Sequence, residues 1–390
     1  MSDPRLLRWA EIDLDAVAHN VAQLRGRLSP GAKLGAVVKA NAYGHGAVDV
    51  GRAVVGAGAD WLCVATVGEG TELRGAGVAV PILVMGPALA ADADAAVSAE
   101  LRCCVFDRAG VLLFAAAAER AGRPLLVHLK VDTGMARLGV PMGETLELAR
   151  LVESSPWLQL EALWTHFAEA DDIESPRTAA QLARFLAEVD LVRRAGIQPP
   201  MLHCANSAAT LLNPESHLDL VRCGLPLYGY ASTRARVPGL DLHPVMTWKS
   251  RVIALHRLAP RDRVGYGGTF KAEAPTLTAT VALGYADGFS RRLSNRGALL
   301  IGGIRVPVAG TVSMDFVTAD VTGVPGVEVG DEAVVLGRQG DEFIGADEVA
   351  RWLETIAWEV LCDVGPRVVR LPVAGRGAAA GVSARISDAD

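Results

Sequence analysis

The sequence predicts an α/β chain: an N-terminal (β/α)8, TIM-like barrel followed by a mostly β C-terminal domain. Three observations carry this. Between Lys33 and Arg222 short apolar runs recur at intervals of roughly 20 to 40 residues, with helix-like patterns between most of them. From Trp248 onward the runs alternate, are β-branched, and are broken by Gly and Pro, as in an all-β domain. The chain also has 390 residues, too many for one ordinary core.

The eight runs are 34–38, 61–65, 81–85, 101–106, 125–131, 160–165, 201–204 and 218–222. Helical candidates between them include 47–56, 68–75, 109–121, 143–153 and 176–195, and many end at glycine, as a left-handed cap would. Eight strands alternating with helices read as a barrel, with a doubly wound sheet as the competing arrangement. The segment 233–242 is the expected linker, giving 1–241 as the barrel and 242–390 as the β domain, with the N-terminal strand 5–13 a candidate addition to the latter. Strands are expected at 248–258, 276–283, 298–301, 306–309, 316–321 and 333–336, with one helix near 346–361. The one low-complexity tract is 375–379.

A net charge of -6 without any block of like charges argues against a nucleic-acid partner. Cysteines 63, 103, 104, 204, 223 and 362 form no Cys-x-x-Cys pair and read as buried thiols of a reducing compartment. Early charges at Arg8, Glu11, Asp13 and Asp15 leave no signal-peptide core, and no apolar run approaches the roughly 20 residues of a membrane helix. A cytoplasmic protein with no membrane partner is expected.

Barrels place their chemistry at the C-terminal ends of strands. Lys39 follows the first run. If that run is a strand, Val37 and Lys39 share a face, and the lysine ends it pointing into whatever the strand lines. Desolvation lowers an ammonium's pKa, and such an amine can form a Schiff base with an aldehyde; a lysine snorkelling at a strand end is the plain alternative. In the fifth run, Leu125, Val127, Leu129 and Val131 share one face, while Leu126, His128, Lys130 and Asp132 share the face expected to look into the barrel. A lysine there needs an anionic partner, for which Asp132 is one candidate. His166 follows the sixth run. After the seventh, Asn206 or Ser207 could simply cap a helix, or Ser207 could give its hydroxyl to a phosphate alongside the backbone N–H groups of Gly224 and Leu225. Arg222 ends the eighth run with a guanidinium that can donate but never accept.

Val37-Val38-Lys39-Ala40-Asn41-Ala42-Tyr43-Gly44-His45-Gly46 resembles the cofactor-lysine motif of the alanine racemases, enzymes that use pyridoxal 5′-phosphate. The stretch from His128 to Gly139 resembles the family's second motif. The stretches from Arg263 to Phe270, Gly284 to Gly288 and Val312 to Asp315 resemble segments of its C-terminal domain. The resemblance extends from Trp9 to Val368. It implies that Lys39 holds the cofactor, that Tyr43 donates to its phosphate, and that Arg222 faces the pyridine nitrogen where many such enzymes place a carboxylate. It further implies a homodimer with shared active sites. Tyr266 of one subunit would face the other's Lys39 as second base, tuned by His166 and Arg222. Arg137 and the backbone of Met314 would bind the substrate carboxylate, with Tyr285 lining substrate access. Lys130 is a candidate for carbamylation that would orient Arg137. The reaction implied is interconversion of L- and D-alanine, supplying D-alanine for peptidoglycan.

The pattern departs from the family at Ala357-Trp358, where Asn-Tyr is usual, and at Thr311, Ser313 and Cys223, where Arg, Cys and Pro are common. Trp358 keeps open a serine-preferring or broader racemase. A non-catalytic pyridoxal phosphate-binding protein, a decarboxylase of the same fold, and an aldolase using Lys130 are the other readings.

Overall fold

The structure, a computed structural model, describes residues 5–233 and 235–374. The chain forms two compact bodies. One comprises Val17–Ala42 and Ala47–His243; the other comprises the described parts of 5–16, 43–46 and 244–374.

The first strand, β1 (Arg8–Asp13), belongs to the second body. The first body holds eight strands: β2 (Lys33–Val37), β3 (Trp61–Val64), β4 (Ile82–Val84), β5 (Arg102–Val105), β6 (Leu125–Lys130), β7 (Leu158–Trp164), β8 (Met201–His203) and β9 (Leu220–Cys223). All pair in parallel in chain order, and β9 returns to pair with β2. That return excludes a doubly wound sheet. Between β8 and β9 there is no ladder, and Asp219 closes the seam. Its N–H reaches the Leu202 carbonyl at 3.0 Å, and its carboxylate accepts the Leu202 N–H at 2.7 Å. Such strands are covered on both faces, which is why Trp-Leu-Cys-Val in β3 is buried throughout. The helix Arg108–Ala121 shows how the layer outside is delimited. Asp107 accepts the Gly110 N–H at 2.7 Å at its start, and Gly122 closes it at φ 65°, a conformation that favours a residue without Cβ.

In the second body β1 pairs in parallel with Val369–Val373 and antiparallel with β10 (Met246–Leu258). β10 also pairs with Glu332–Gln339 and, beyond a register shift between Val252 and Ala254, with Thr276–Val281. That irregularity lies within one long strand that serves three partners in turn. The single helix expected near 346–361 is instead two, Ala346–Leu353 and Ala357–Cys362. Glu354 breaks it at φ 58°, its carboxylate held by Arg296 at 2.6 Å, and the β-branched pair Thr355-Ile356 follows. Five of the six thiols are buried as expected, but Cys362 is exposed. The tract 375–379 lies outside the described residues. Among the described residues no helix is long and apolar enough to cross a membrane.

Candidate active site

The strand expected to carry Lys39 ends at Val37, and the lysine opens a different element. Ala40, Asn41 and Ala42 sit at φ 51–53° and ψ 46–51°, a single left-handed turn. Each L-residue there costs about 1–2 kcal/mol, so the turn persists only where its surroundings hold it. The Ala42 N–H donates to the Val38 carbonyl at 2.9 Å, and the Asn41 side chain accepts the Ala47 N–H at 2.8 Å. The Glu69 carboxylate accepts the Ala40 N–H at 2.7 Å. Glu69 was not singled out from the sequence; the one signal it carries there is its Thr-x-x-Glu spacing from Thr66, and the structure contains that capping box.

Inside the barrel, strands β6 to β9 bring their polar side chains together. Arg222 lies in β9 itself and is buried. Its Nη1 donates to His203 Nδ1 at 2.7 Å, and its Nη2 to the carbonyls of Thr165 at 2.8 Å and Cys204 at 3.1 Å; His166 Nδ1 is 3.4 Å from Nη2. His203 Nε2 contacts His128 Nδ1 at 3.0 Å, and His128 Nε2 contacts the Glu161 carboxylate at 3.0 Å. Burial first, then the Arg222 charge, holds His166 and His203 well below the ordinary imidazole value, so both are neutral. Burial pushes the surrounding thiols of Cys63, Cys104, Cys204 and Cys223 up to about 12, leaving them as uncharged lining.

Lys130 ends β6 buried, its ammonium 4.4 Å from the Trp164 ring centroid, with Arg222 at 4.7 Å over the same indole. Asp132 is not its counter-ion. That carboxylate accepts the N–H groups of Gly134, Met135 and Ala136 at 2.9–3.1 Å, shaping the loop that leads to exposed Arg137. Among the described residues Lys130 has no carboxylate within ion-pair distance. Burial lowers its pKa to about 8, and Arg222 and Arg137 press it in the same direction.

After β8, Asn206 accepts the Ala209 N–H at 3.1 Å as a helix cap, and the neighbouring Ser207 Oγ accepts the Gly224 N–H at 2.8 Å. Ser207 and Gly224 are thus brought together, with Leu225 next in the chain. Of the two candidate caps, Asn206 caps the helix, and the Ser207 hydroxyl is turned to the Gly224 backbone instead.

In the second body Tyr266 is 74% exposed at the head of the turn Tyr266–Gly268, and its carbonyl accepts the Thr311 hydroxyl at 2.9 Å. The turns that carry Tyr285 and Met314 are joined through the backbone: the Tyr285 N–H donates to the Ser313 carbonyl at 3.1 Å and the Ala286 N–H to the Met314 carbonyl at 3.0 Å. Gly284 permits this approach, since a Cβ there would lie 2.2 Å from the Met314 oxygen. Tyr43, in the same body, is buried, and Trp358 is half-buried in Ala357–Cys362.

The first body's donor set fits a pyridoxal ring. Arg222 Nε is buried with no hydrogen-bond partner among the described residues, an orphan donor that a pyridine nitrogen would satisfy.

Two family models match the chain: alanine racemase, N-terminal domain, over residues 12–232, and alanine racemase, C-terminal domain, over 245–372. An alanine racemase of Symbiobacterium thermophilum is 42% identical over 362 residues, covering 93% of this chain and 96% of that relative. The alanine racemase of Clostridium difficile 630 superposes with a TM-score of 0.90 at 32% identity, covering 95% of this chain and 96% of that one. The Bacillus anthracis alanine racemase, solved with bound L-Ala-P, superposes at 0.87 with 35% identity, covering 93% and 94%.

Proposed function

We propose, from the premise that this chain belongs to the alanine racemase family, that it interconverts L- and D-alanine with Lys39 and Tyr266 of the partner subunit as its two bases. The observation that carries the reading is Arg222: a buried guanidinium fixed by three hydrogen bonds, its Nε left to donate.

Lys39, Tyr43, Ser207, Gly224 and Leu225 would hold pyridoxal 5′-phosphate, with Arg222 at the ring nitrogen. Bound there, the cofactor supplies an electron sink for the charge that develops at the α-carbon. An arginine cannot hand the ring nitrogen a proton, which moderates that sink and suits an enzyme that only removes and returns one proton. The phenolic oxygen of Tyr266 of the partner subunit takes the α-proton on the L-face, and the Lys39 amine delivers one on the D-face. Two bases on opposite faces are required, because a single base returning its proton to the same face would not invert the centre. His166, kept neutral beside Arg222, would link that guanidinium to the phenol and favour its ionised form. Arg137 and the Met314 backbone would receive the substrate carboxylate, with Tyr285 at the opening. A carbamate on Lys130 would turn a buried cation into an anion facing Arg137.

This mechanism requires a homodimer. The body of residues 17–42 and 47–243 would serve as the cofactor domain and the body that contains β1 and Tyr266 as the domain that lends the phenol, and a cytoplasmic enzyme would supply D-alanine for peptidoglycan. The test is racemisation of L-alanine and L-serine side by side with added cofactor. Alanine well above serine is expected; serine equal or faster would overturn the substrate and put Trp358 first under suspicion.

A further inference from the structure

We infer that Glu69 is the positioning residue for Lys39: its carboxylate ends the β2–β3 ladder one rung early and so enforces the left-handed turn that presents the lysine. This rests on the reading of Lys39 as the cofactor-binding amine.

The ladder itself shows the step. Val38 N–H donates to the Cys63 carbonyl at 2.9 Å. In a parallel pair the next rung would run from the Ala65 N–H to the Val38 carbonyl. That rung is replaced at both ends. Ala65 N–H goes to Glu69 Oε2 at 2.7 Å, and the Val38 carbonyl takes the Ala42 N–H across the turn. Glu69's other oxygen, Oε1, takes the Ala40 N–H at 2.7 Å, the first amide after the lysine. One carboxylate thus fastens the ends of two adjacent strands and leaves neither free to extend. Without it, nothing on Ala65 opposes one more rung, and Lys39 would continue along the strand direction instead of turning out of it.

Glu69 also belongs to the capping box of the helix Val67–Gly75, accepting the Thr66 N–H at 3.2 Å while its own N–H donates to Thr66 Oγ1 at 3.2 Å. A purely structural role is therefore the competitor. Thr66→Ala separates the two, since it removes the hydroxyl half of the cap and leaves both strand-end contacts.

The experiment uses full-length apo protein titrated with pyridoxal 5′-phosphate and treated with borohydride. The hydride adds across the carbon–nitrogen double bond and leaves a secondary amine that peptide mass spectrometry locates. Wild type and Thr66→Ala should label at Lys39 with the same half-saturating cofactor concentration. Glu69→Ala should need at least about tenfold more, and its kcat for alanine should fall roughly tenfold to a hundredfold with a smaller change in KM. Glu69→Gln should lie between, because an amide oxygen can serve one strand end but not both, and it decides the matter if Glu69→Ala does not fold. Labelling of Glu69→Ala and Glu69→Gln at the wild-type concentration, or equal impairment in Thr66→Ala, would overturn the inference. Failure of wild type itself to label at Lys39 would instead remove the reading on which it rests.

Discussion

Arg222 Nη1 lies 2.7 Å from His203 Nδ1, and that contact fixes the protons of a buried relay. An arginine can only donate, so Nδ1 accepts and His203 carries its proton on Nε2. His203 Nε2 then donates to His128 Nδ1, which leaves His128 Nε2 to donate to Glu161. Two neutral imidazoles thus join a guanidinium to a carboxylate that it never touches. Glu161 ends this chain of contacts and pairs there with Arg102 at 3.4 Å.

The relay makes stability depend on pH. His128, His166 and His203 all have folded-state pKa values lowered by burial. Above the unfolded value of about 6.5 neither state binds the extra proton, and the neutral native rings carry no penalty. As pH falls through that value the unfolded chain takes up protons that the native rings refuse, and stability drops by at most about 1.4 kcal/mol per pH unit for each histidine. Urea-unfolding midpoints should therefore fall between about pH 7 and pH 5. His203→Gln should lower the midpoint but flatten the slope. A midpoint independent of pH in wild type would contradict neutral rings.

The two bases are separable by isotope exchange in deuterated solvent. Tyr266→Phe should cut racemisation by roughly 10²- to 10⁴-fold while D-alanine still exchanges its α-proton through Lys39. Lys39→Ala should abolish both. Retained exchange of L-alanine in Tyr266→Phe would remove the phenol from its proposed role.

Much of this site could be read in the sequence because its motifs are local. Lys39 and its neighbours form one continuous stretch, and Lys130, Arg137 and Arg222 stand at or near the ends of apolar runs whose period gave the barrel. What could not be read depends on contacts between distant positions. His128 and His203 are 75 residues apart and Glu161 is 33 from His128, so no periodicity records their meeting. The left-handed turn escaped for another reason: Ala-Asn-Ala has no intrinsic preference for positive φ sufficient to announce it, and the carboxylate that holds it comes from Glu69. The helix break at Glu354 was equally silent, since only Thr355-Ile356 interrupts a good helical composition.

Lys130 should carry carbon dioxide. Its buried ammonium lies under the influence of the cations Arg222 and Arg137 with, among the described residues, no carboxylate in ion-pair distance, and a pKa of about 8 leaves neutral amine available near neutral pH. A carbamate reverses the charge and relieves that crowding. Isotopically labelled bicarbonate should give a protein-bound carbamate carbonyl resonance that is absent in Lys130→Ala. An unmodified Lys130 in bicarbonate would eliminate the idea.

Asp287 should prove to be the residue that fixes the Tyr285–Met314 loop. Its carboxylate is fully buried, accepting Arg8 Nη1 at 2.7 Å, Arg367 Nε at 2.8 Å and the Gly284 N–H at 3.0 Å. The Gly284 contact matters most, because Gly284 is the residue whose missing side chain lets the turn press on Met314. Asp287→Asn preserves the shape but places an amide N–H2 where donors already converge, so at least one of Arg8, Arg367 and Gly284 loses its acceptor. Breaking one partner of a buried pair typically costs about 3 kcal/mol, less here to the extent that Arg367 is half exposed and can turn to water or keep Asp315 at 2.8 Å. The expected result is a urea midpoint lowered by the equivalent of about 2–3 kcal/mol, together with a raised KM for alanine, since the Tyr285–Ser313 and Ala286–Met314 backbone bonds would lose their fixed register. A variant as stable as wild type, with KM unchanged, would show that Ser313 and Met314 alone hold the loop.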